Sequence, residues 1–349
     1  LIAPRDWPIL VTGAGGFVGG HIARRLAQAG HAVRGLSRRP IEAEAGDPSI
    51  DWQIGDLRDP TVRKQAVAGV RAVVHSASWV SLGSDPNGHA RSTNIDATRH
   101  LLTDAEAAGI ERFIYTSTLH TLAAGTPDAP ADEQADWNLH RVDSPYARSK
   151  REAERIVLGG SDRLAGVVLC PGMALGPRDV RPTSTRLLLA MAATPVAILP
   201  RGGIPIVDAS VLAQAHCRAI HSGEPGRRYA VVGPYMSYPE LAAEVGRLAG
   251  RPWRIVTLPD AVQGPVVGTA RLIDKLVGGR WLEVSAASAA GGFLQLHVSG
   301  ALADATFDLT HPPAIDSIFA ALDDHRRSGR APWLSRLKPP VPVVAPISQ

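Results

Sequence analysis

The chain of 349 residues is 45% hydrophobic and 20% charged, a balance that supports a large buried core and excludes a disordered or fibrous protein. Its formal net charge of +4 comes from 37 Lys and Arg against 33 Asp and Glu, spread without a basic block, so no nucleic-acid partner is expected. Cys170 and Cys217 match no metal or disulfide spacing, no metal site is expected, and no apolar run reaches the roughly 20 residues of a membrane span. The opening Leu1 to Pro8 lacks the regions of a signal peptide, so a cytoplasmic protein without a membrane partner is the expectation.

From Ile9 to about Pro171 short Val/Ile-rich runs alternate with amphipathic stretches, which predicts an α/β fold with a doubly wound parallel sheet. The predicted strands are Ile9 to Thr12, Ala32 to Leu36, Ala72 to Ser76, Phe113 to Ser117 and Val167 to Leu169. Helices are predicted over Gly20 to Ala29, from an Asp59-Pro60 start to Ala68, over Asn94 to Ala108, and from Ser144-Pro145 through Glu154. After Pro171 proline and glycine become frequent and the alternation fades. The expected division is a dinucleotide-binding domain over 1–170 to which 204–232 returns, a smaller and mostly helical substrate lobe over 171–203 and 233–338, and a Pro-rich tail over 339–349.

The first loop carries the chemistry of this division. Leu10 to Gly20 reads LVTGAGGFVGG. A P-loop would need Lys and Ser/Thr after Gly20, where His21 and Ile22 stand. The pattern G-x-G-x-x-G begun at Gly13 would place its last glycine on Val18. The surviving pattern is T-G-x-x-G-x-x-G over Thr12, Gly13, Gly16 and Gly19: a tight turn, a close backbone approach to a pyrophosphate, and a helix whose first residues, Phe17 and Val18, present amide donors and the positive dipole end.

The next strand ends Leu36-Ser37-Arg38-Arg39. A carboxylate here would accept from the adenosine ribose hydroxyls of NAD. Instead Ser37 and Arg38, with Arg39 as a second candidate, suit a 2′-phosphate, so NADP is favoured, with NAD as the alternative. In Gly55-Asp56-Leu57-Arg58-Asp59, Asp56 can accept from the adenine amino group while Leu57 covers the ring. In Tyr146-Ala147-Arg148-Ser149-Lys150, Tyr146 and Lys150 share a helix face, and the ammonium is expected to lower the phenol pKa toward the range of a proton donor. A hydroxyl of Thr116-Ser117-Thr118 can bond the oxygen that Tyr146 protonates.

These residues resemble the extended short-chain dehydrogenase/reductases, a group that includes NAD-dependent epimerase/dehydratases, 3β-hydroxysteroid dehydrogenases and dihydroflavonol-4-reductase-like carbonyl reductases. The resemblance spans roughly Ile9 to Gly250 through TGAGGFVGG, GDLRD, VVHSAS, NIDATRHLL, FIYTST, YARSK and CPGMALGP. It implies a Rossmann fold, with Tyr146 as general acid/base, Lys150 as its pKa modulator and ligand of the nicotinamide ribose, and Thr118 as the catalytic hydroxyl with Ser117 as backup. Ser76, Ala77 and Ser78 are implied to pass under the adenosine and pyrophosphate, and Pro171 to Met173 to line the nicotinamide. Asn94 reads as a structural residue at a helix start.

Departures from the family narrow the reaction. Leu119 and His120 stand where 4,6-dehydratases carry Asp and Glu, and His120 reads as packing. Gly203-Ile204-Pro205 lacks the Arg with which sugar-nucleotide epimerases clamp a diphosphate, although Arg178, Arg181 and Arg186 lie near in sequence. Trp79, Val80, Leu119, Met173 and Leu175 are expected to form an apolar pocket. The expected function is an NADP-dependent oxidoreductase interconverting a ketone or aldehyde and an alcohol on a small apolar molecule, with a homodimer allowed. The alternatives are a nucleotide-sugar epimerase and a non-catalytic NADP-sensing regulator.

Overall fold

The computed structural model describes all residues except 1–7, 42–43, 45, 82–84, 143, 161–163, 195, 251–253, 278–285 and 341–349. The first part of the predicted tail, 339–340, is described; the rest lies outside the described residues.

In chain order the first half comprises β1 (Ile9–Thr12), α1 (Phe17–Gln28), β2 (Val33–Ser37), β3 (Asp51–Ile54), α2 (Pro60–Val67), β4 (Ala72–His75), α3 (Ala97–Ala107), β5 (Arg112–Thr116), α4 (Pro145–Leu158) and β6 (Ala165–Pro171). The second half comprises β7 (Met173–Leu175), α5 (Thr185–Ala193), β8 (Val196–Pro200), β9 (Gly203–Asp208), α6 (Ala209–Ser222), β10 (Arg227–Val231), β11 (Tyr235–Ser237), α7 (Tyr238–Leu248) and β12 (Arg254–Leu258). It closes with α8 (Gln263–Val277), α9 (Ala286–Gly291), α10 (Ala301–Phe307) and α11 (Ala314–Arg327).

Seven parallel strands form one sheet in the order β10-β6-β5-β4-β1-β2-β3. Alternate side chains of β1 go to opposite faces, as the pleat requires. Ile9 and Val11 pack with Ile22 and Leu26 of α1 and Leu212 and Ala219 of α6. Leu10 packs with Leu101 and Ala105 of α3 and Ala153 and Val157 of α4 on the other face. Each Ile, Leu or Val side chain among these, removed from water, stabilises the domain by about 1.5–3 kcal/mol.

The predicted caps are present: the Asp59 carboxylate accepts from the Thr61 amide at 2.8 Å and the Ser144 hydroxyl from the Ala147 amide at 3.1 Å. β3, whose DWQI lacks an apolar alternation, is expected from the sequence only by position, as a third strand ahead of Gly55, and β2 begins and ends one residue later than predicted. The stretch expected to be helical from Asn94 begins earlier, as a π-helical segment over Ala90–Asp96 that runs into α3. Asn94 therefore sits inside that segment rather than at a helix start.

The remainder carries strands as well as helices. A three-stranded sheet orders β11-β9-β7 and β12 pairs with β8, so the lobe is less purely helical than expected. A separate apolar cluster of Leu188, Met191, Leu241, Val245, Ile318 and Leu322 holds α5, α7 and α11 together. Among the described residues no helix is long and apolar enough to cross a membrane.

Candidate active site

From β1 the strand order runs outward in both directions, so the loops that leave β1 and β4 flank the switch point of the sheet, where the topology sets a crevice. Such switch points are where doubly wound sheets bind ligands. Gly13 turns the chain there at φ +69°, and a Cβ at this position would lie 2.7 Å from the Ala77 backbone, so only glycine lets the two loops meet. At Gly19 a Cβ would fall 2.3 Å from the Gly13 carbonyl, which explains how tightly α1 packs on the turn. Gly16 is the N-cap of α1, with no side-chain cap and no acidic residue in the first turn. The first amides of α1, those of Phe17 and Val18, thus have no capping side chain and no competing carboxylate, and a helix start of this kind fits a pyrophosphate.

The loop after β4, Ser76 to Ser78, is held by a chain of hydrogen bonds. The Thr12 hydroxyl meets His75 Nδ1 at 2.7 Å and accepts from the Ala77 amide at 3.2 Å; His75 Nε2 meets Thr98 Oγ1 at 2.8 Å; Thr98 donates to the Asn94 carbonyl at 2.7 Å. Because the Thr98 proton is used on Asn94, His75 must donate from Nε2 and accept at Nδ1. Burial pushes the His75 pKa down to about 3, so the ring is neutral, as this tautomer requires. Asn94 Oδ1 accepts from the Ser78 hydroxyl at 3.1 Å and the Trp79 amide at 2.7 Å, and its Nδ2 donates to Ser149 Oγ at 2.9 Å. One asparagine thus ties the loop to α4. Sequence reasoning missed this scaffold, whose bonded pairs lie up to 65 residues apart.

At the end of β5 the chain brings Thr118, Tyr146 and Lys150 together. The Thr118 side chain hydrogen-bonds the half-buried Tyr146 phenol, and Lys150, 2% exposed, donates to the Thr116 carbonyl at 2.5 Å with its ammonium 4.1 Å from the Tyr115 ring centroid. The expected lowering of the phenol pKa is not observed. Burial pushes Tyr146 up to about 12, opposed by the Thr118 hydrogen bond. Lys150 is pushed down to about 7, again by burial and against the pull of Glu154. The ammonium is spent on the Thr116 carbonyl and its own desolvation, so burial outweighs charge in setting the phenol.

Ser117, the backup hydroxyl, is committed elsewhere: it donates to Glu154 Oε2 at 2.7 Å. Glu154 is 3% exposed, and its Oε1 accepts from Arg228 Nη1 at 3.1 Å, with Arg228 also donating to the Glu133 carbonyl. A signal for Glu154 exists in the sequence, since Tyr146, Lys150 and Glu154 are spaced four apart on one helix face. His120 Nδ1 lies 3.4 Å from Thr118 Oγ1, and burial lowers the pKa of its ring.

Of the apolar pocket residues, Leu119 and Leu175 are 1% and 0% exposed and belong to the core, so they line nothing. Trp79, Pro171 and Met173 are half-buried and Val80 is exposed. In the turn after β2, Ser37 is buried, and its hydroxyl donates to the Arg39 carbonyl at 2.8 Å, while Arg38 and Arg39 are exposed. Asp56 is gripped by Arg58 at 2.7 and 3.0 Å, which holds its pKa down at about 2, and Leu57 is buried beside it. Among the described residues no cluster of His, Cys, Asp or Glu could hold a metal ion.

A parallel sheet with a glycine-rich switch-point turn and a Thr/Tyr/Lys constellation defines an NAD(P)-dependent enzyme acting on CH–OH and C=O groups, of the extended short-chain dehydrogenase/reductase class. The chain belongs to the NAD dependent epimerase/dehydratase family, which it matches over residues 9–231. It is 29% identical over 258 residues to a putative dihydroflavonol 4-reductase of Synechocystis, covering 71% of this chain and 74% of the relative. A 2-alkyl-3-oxoalkanoate reductase of Stenotrophomonas maltophilia is 36% identical over 176 residues, 49% of this chain and 52% of that protein. Among solved structures, that of gox2253 superposes with a TM-score of 0.78 at 28% identity, covering 93% of this chain and 99% of the other.

Proposed function

We propose that the protein is an NADP-dependent carbonyl reductase, interconverting a ketone or aldehyde and the corresponding alcohol on a small, largely apolar molecule. The observation that carries this is the convergence of Thr118, Tyr146 and Lys150 beside the switch-point crevice. The nicotinamide, when bound, supplies or accepts the hydride.

The chain's own residues manage the oxygen and its proton. With a pKa raised to about 12, Tyr146 holds its proton at neutral pH, the state required of a donor to a carbonyl oxygen during reduction. Thr118 Oγ1 orients that oxygen from the other side, and because Thr121 is bonded to the Thr118 carbonyl at 2.8 Å the hydroxyl is held in place. Lys150 keeps two N–H donors beyond the one spent on Thr116, which suits a ligand of the nicotinamide ribose. Ser37, Arg38 and Arg39 are the candidate 2′-phosphate ligands, Asp56 and Leu57 the adenine neighbours, Ser76 to Ser78 the floor under the pyrophosphate, and Pro171 and Met173 the wall at the nicotinamide.

One arrangement weighs against the epimerase alternative: Arg178 is committed to Asp47 at 2.7 Å and Glu44 at 2.6 Å and so does not serve a substrate diphosphate. The intact Tyr146 and Lys150 count against a purely regulatory role. The test is to follow NADPH absorbance on adding a panel of ketones and aldehydes, alongside thermal shifts with UDP- and dTDP-sugars. Oxidation of NADPH by apolar carbonyls is the expected result; stabilisation by the sugars alone would reverse the assignment.

A further inference from the structure

Residues 176–181 lie against the glycine-rich side of the crevice. The Pro177 carbonyl meets His21 Nε2 at 2.9 Å, and Arg178, with φ +70°, pairs with Asp47 and Glu44 while its amide donates to Asp324 at 2.9 Å. Asp47 is also held by Arg24 at 3.0 Å. In this cluster each guanidinium faces a carboxylate.

Arg181 differs. It is exposed, and among the described residues its hydrogen bond is Nη2 to the Gly15 carbonyl at 3.0 Å. A guanidinium has five N–H donors and a full charge, and a single neutral acceptor matches neither. Gly15 marks where the adenosine end begins, because a Cβ there would lie 2.3 Å from Ser37 Oγ. Arg181 therefore approaches, from the 176–181 segment, the same turn that Ser37, Arg38 and Arg39 approach from β2. Of the groups by this turn, Asp56 is hydrogen-bonded by Arg58, and Arg38 adds only a smaller charge effect on that carboxylate. Arg181 and the Ser37-Arg38-Arg39 turn thus bring N–H and O–H donors and positive charge to Gly15 from two segments, the kind of groups that bind a phosphate.

We infer that Arg181 is a cross-lobe ligand of the phosphate on the coenzyme's adenosine ribose, completing a site begun by Ser37 and Arg38. This rests on the NADP reading above. Arg178 anchors the segment from which Arg181 reaches.

The test uses binding of 2′,5′-ADP and 5′-AMP to the full chain by calorimetry, which requires no turnover. The wild-type protein is expected to bind 2′,5′-ADP the more tightly. Arg181→Ala should weaken 2′,5′-ADP about fivefold to tenfold and leave 5′-AMP unchanged, with Arg181→Lys between the two. A wild type indifferent to the 2′-phosphate would overturn the NADP reading itself. A wild type that prefers 2′,5′-ADP while Arg181→Ala binds both ligands as before would overturn only the role of Arg181, as would equal weakening of both ligands, which marks a support for the Gly15 turn.

Discussion

The two ends of the crevice are built on opposite terms. At the end proposed for catalysis Thr118, Tyr146 and Lys150 rest on buried, mutually satisfied groups, from the Thr116 carbonyl under Lys150 to Glu154 and Arg228 behind Ser117. At the end proposed for the adenosine Arg38, Arg39 and Arg181 stand exposed, and Ser37 spends its hydroxyl within its own turn. Proton transfer needs donors fixed before the substrate arrives, because reorganisation adds to the barrier. Recognition of a charged handle tolerates side chains that settle on the ligand, at an entropic cost met by strong charge pairing.

Substitutions should reveal this contrast, steeply at one end and mildly at the other. Lys150→Met should lower turnover by about a thousandfold, equivalent to roughly 4 kcal/mol, read as kcat on a carbonyl that wild type reduces. A loss below tenfold would remove Lys150 from the constellation. Glu154→Leu strands the Ser117 hydroxyl and the Arg228 charge and should cost about 3 kcal/mol of folding stability, read from the urea midpoint. At the other end Arg38→Ala should weaken NADPH binding about tenfold and spare NADH. Equal weakening of both would mean that the basic turn carries no coenzyme choice.

A further effect concerns pH. His216, bonded to Thr116 Oγ1 at 2.8 Å and to the Leu212 carbonyl at 2.8 Å, is pushed by burial down to about 4. Between the unfolded value of 6.5 and about 4 the unfolded chain takes a proton that the folded chain refuses. Stability therefore falls as pH drops through that window. His216→Gln should flatten this part of the stability profile; an unchanged slope would place the acid sensitivity elsewhere, with His75 the next candidate.

Much of the fold and of the site was legible where short-range patterns carry it. Gly19 is demanded by a contact within its own turn and Gly13 by the positive φ of that turn, Asp59-Pro60 and Ser144-Pro145 by helix caps, and Tyr146 with Lys150 by helical spacing. What stayed hidden depends on distant partners. The Thr12–His75–Thr98–Asn94 chain joins β1, β4 and the start of α3, and nothing local distinguishes its members from ordinary polar residues. The phenol was misjudged for a related reason: spacing brings the charge of Lys150 to the right face but does not reveal that burial will outweigh it. Leu119 and Leu175 were likewise placed in a pocket because sequence proximity to the site cannot separate wall from core.

The central claim is that Tyr146 delivers the proton to the carbonyl oxygen. Turnover and NADPH affinity of Tyr146→Phe, measured together by absorbance and fluorescence titration, test it most directly. The account predicts a loss of turnover of about a thousandfold with the dissociation constant changed by less than about twofold. Turnover within tenfold of wild type, with NADPH bound, would contradict it.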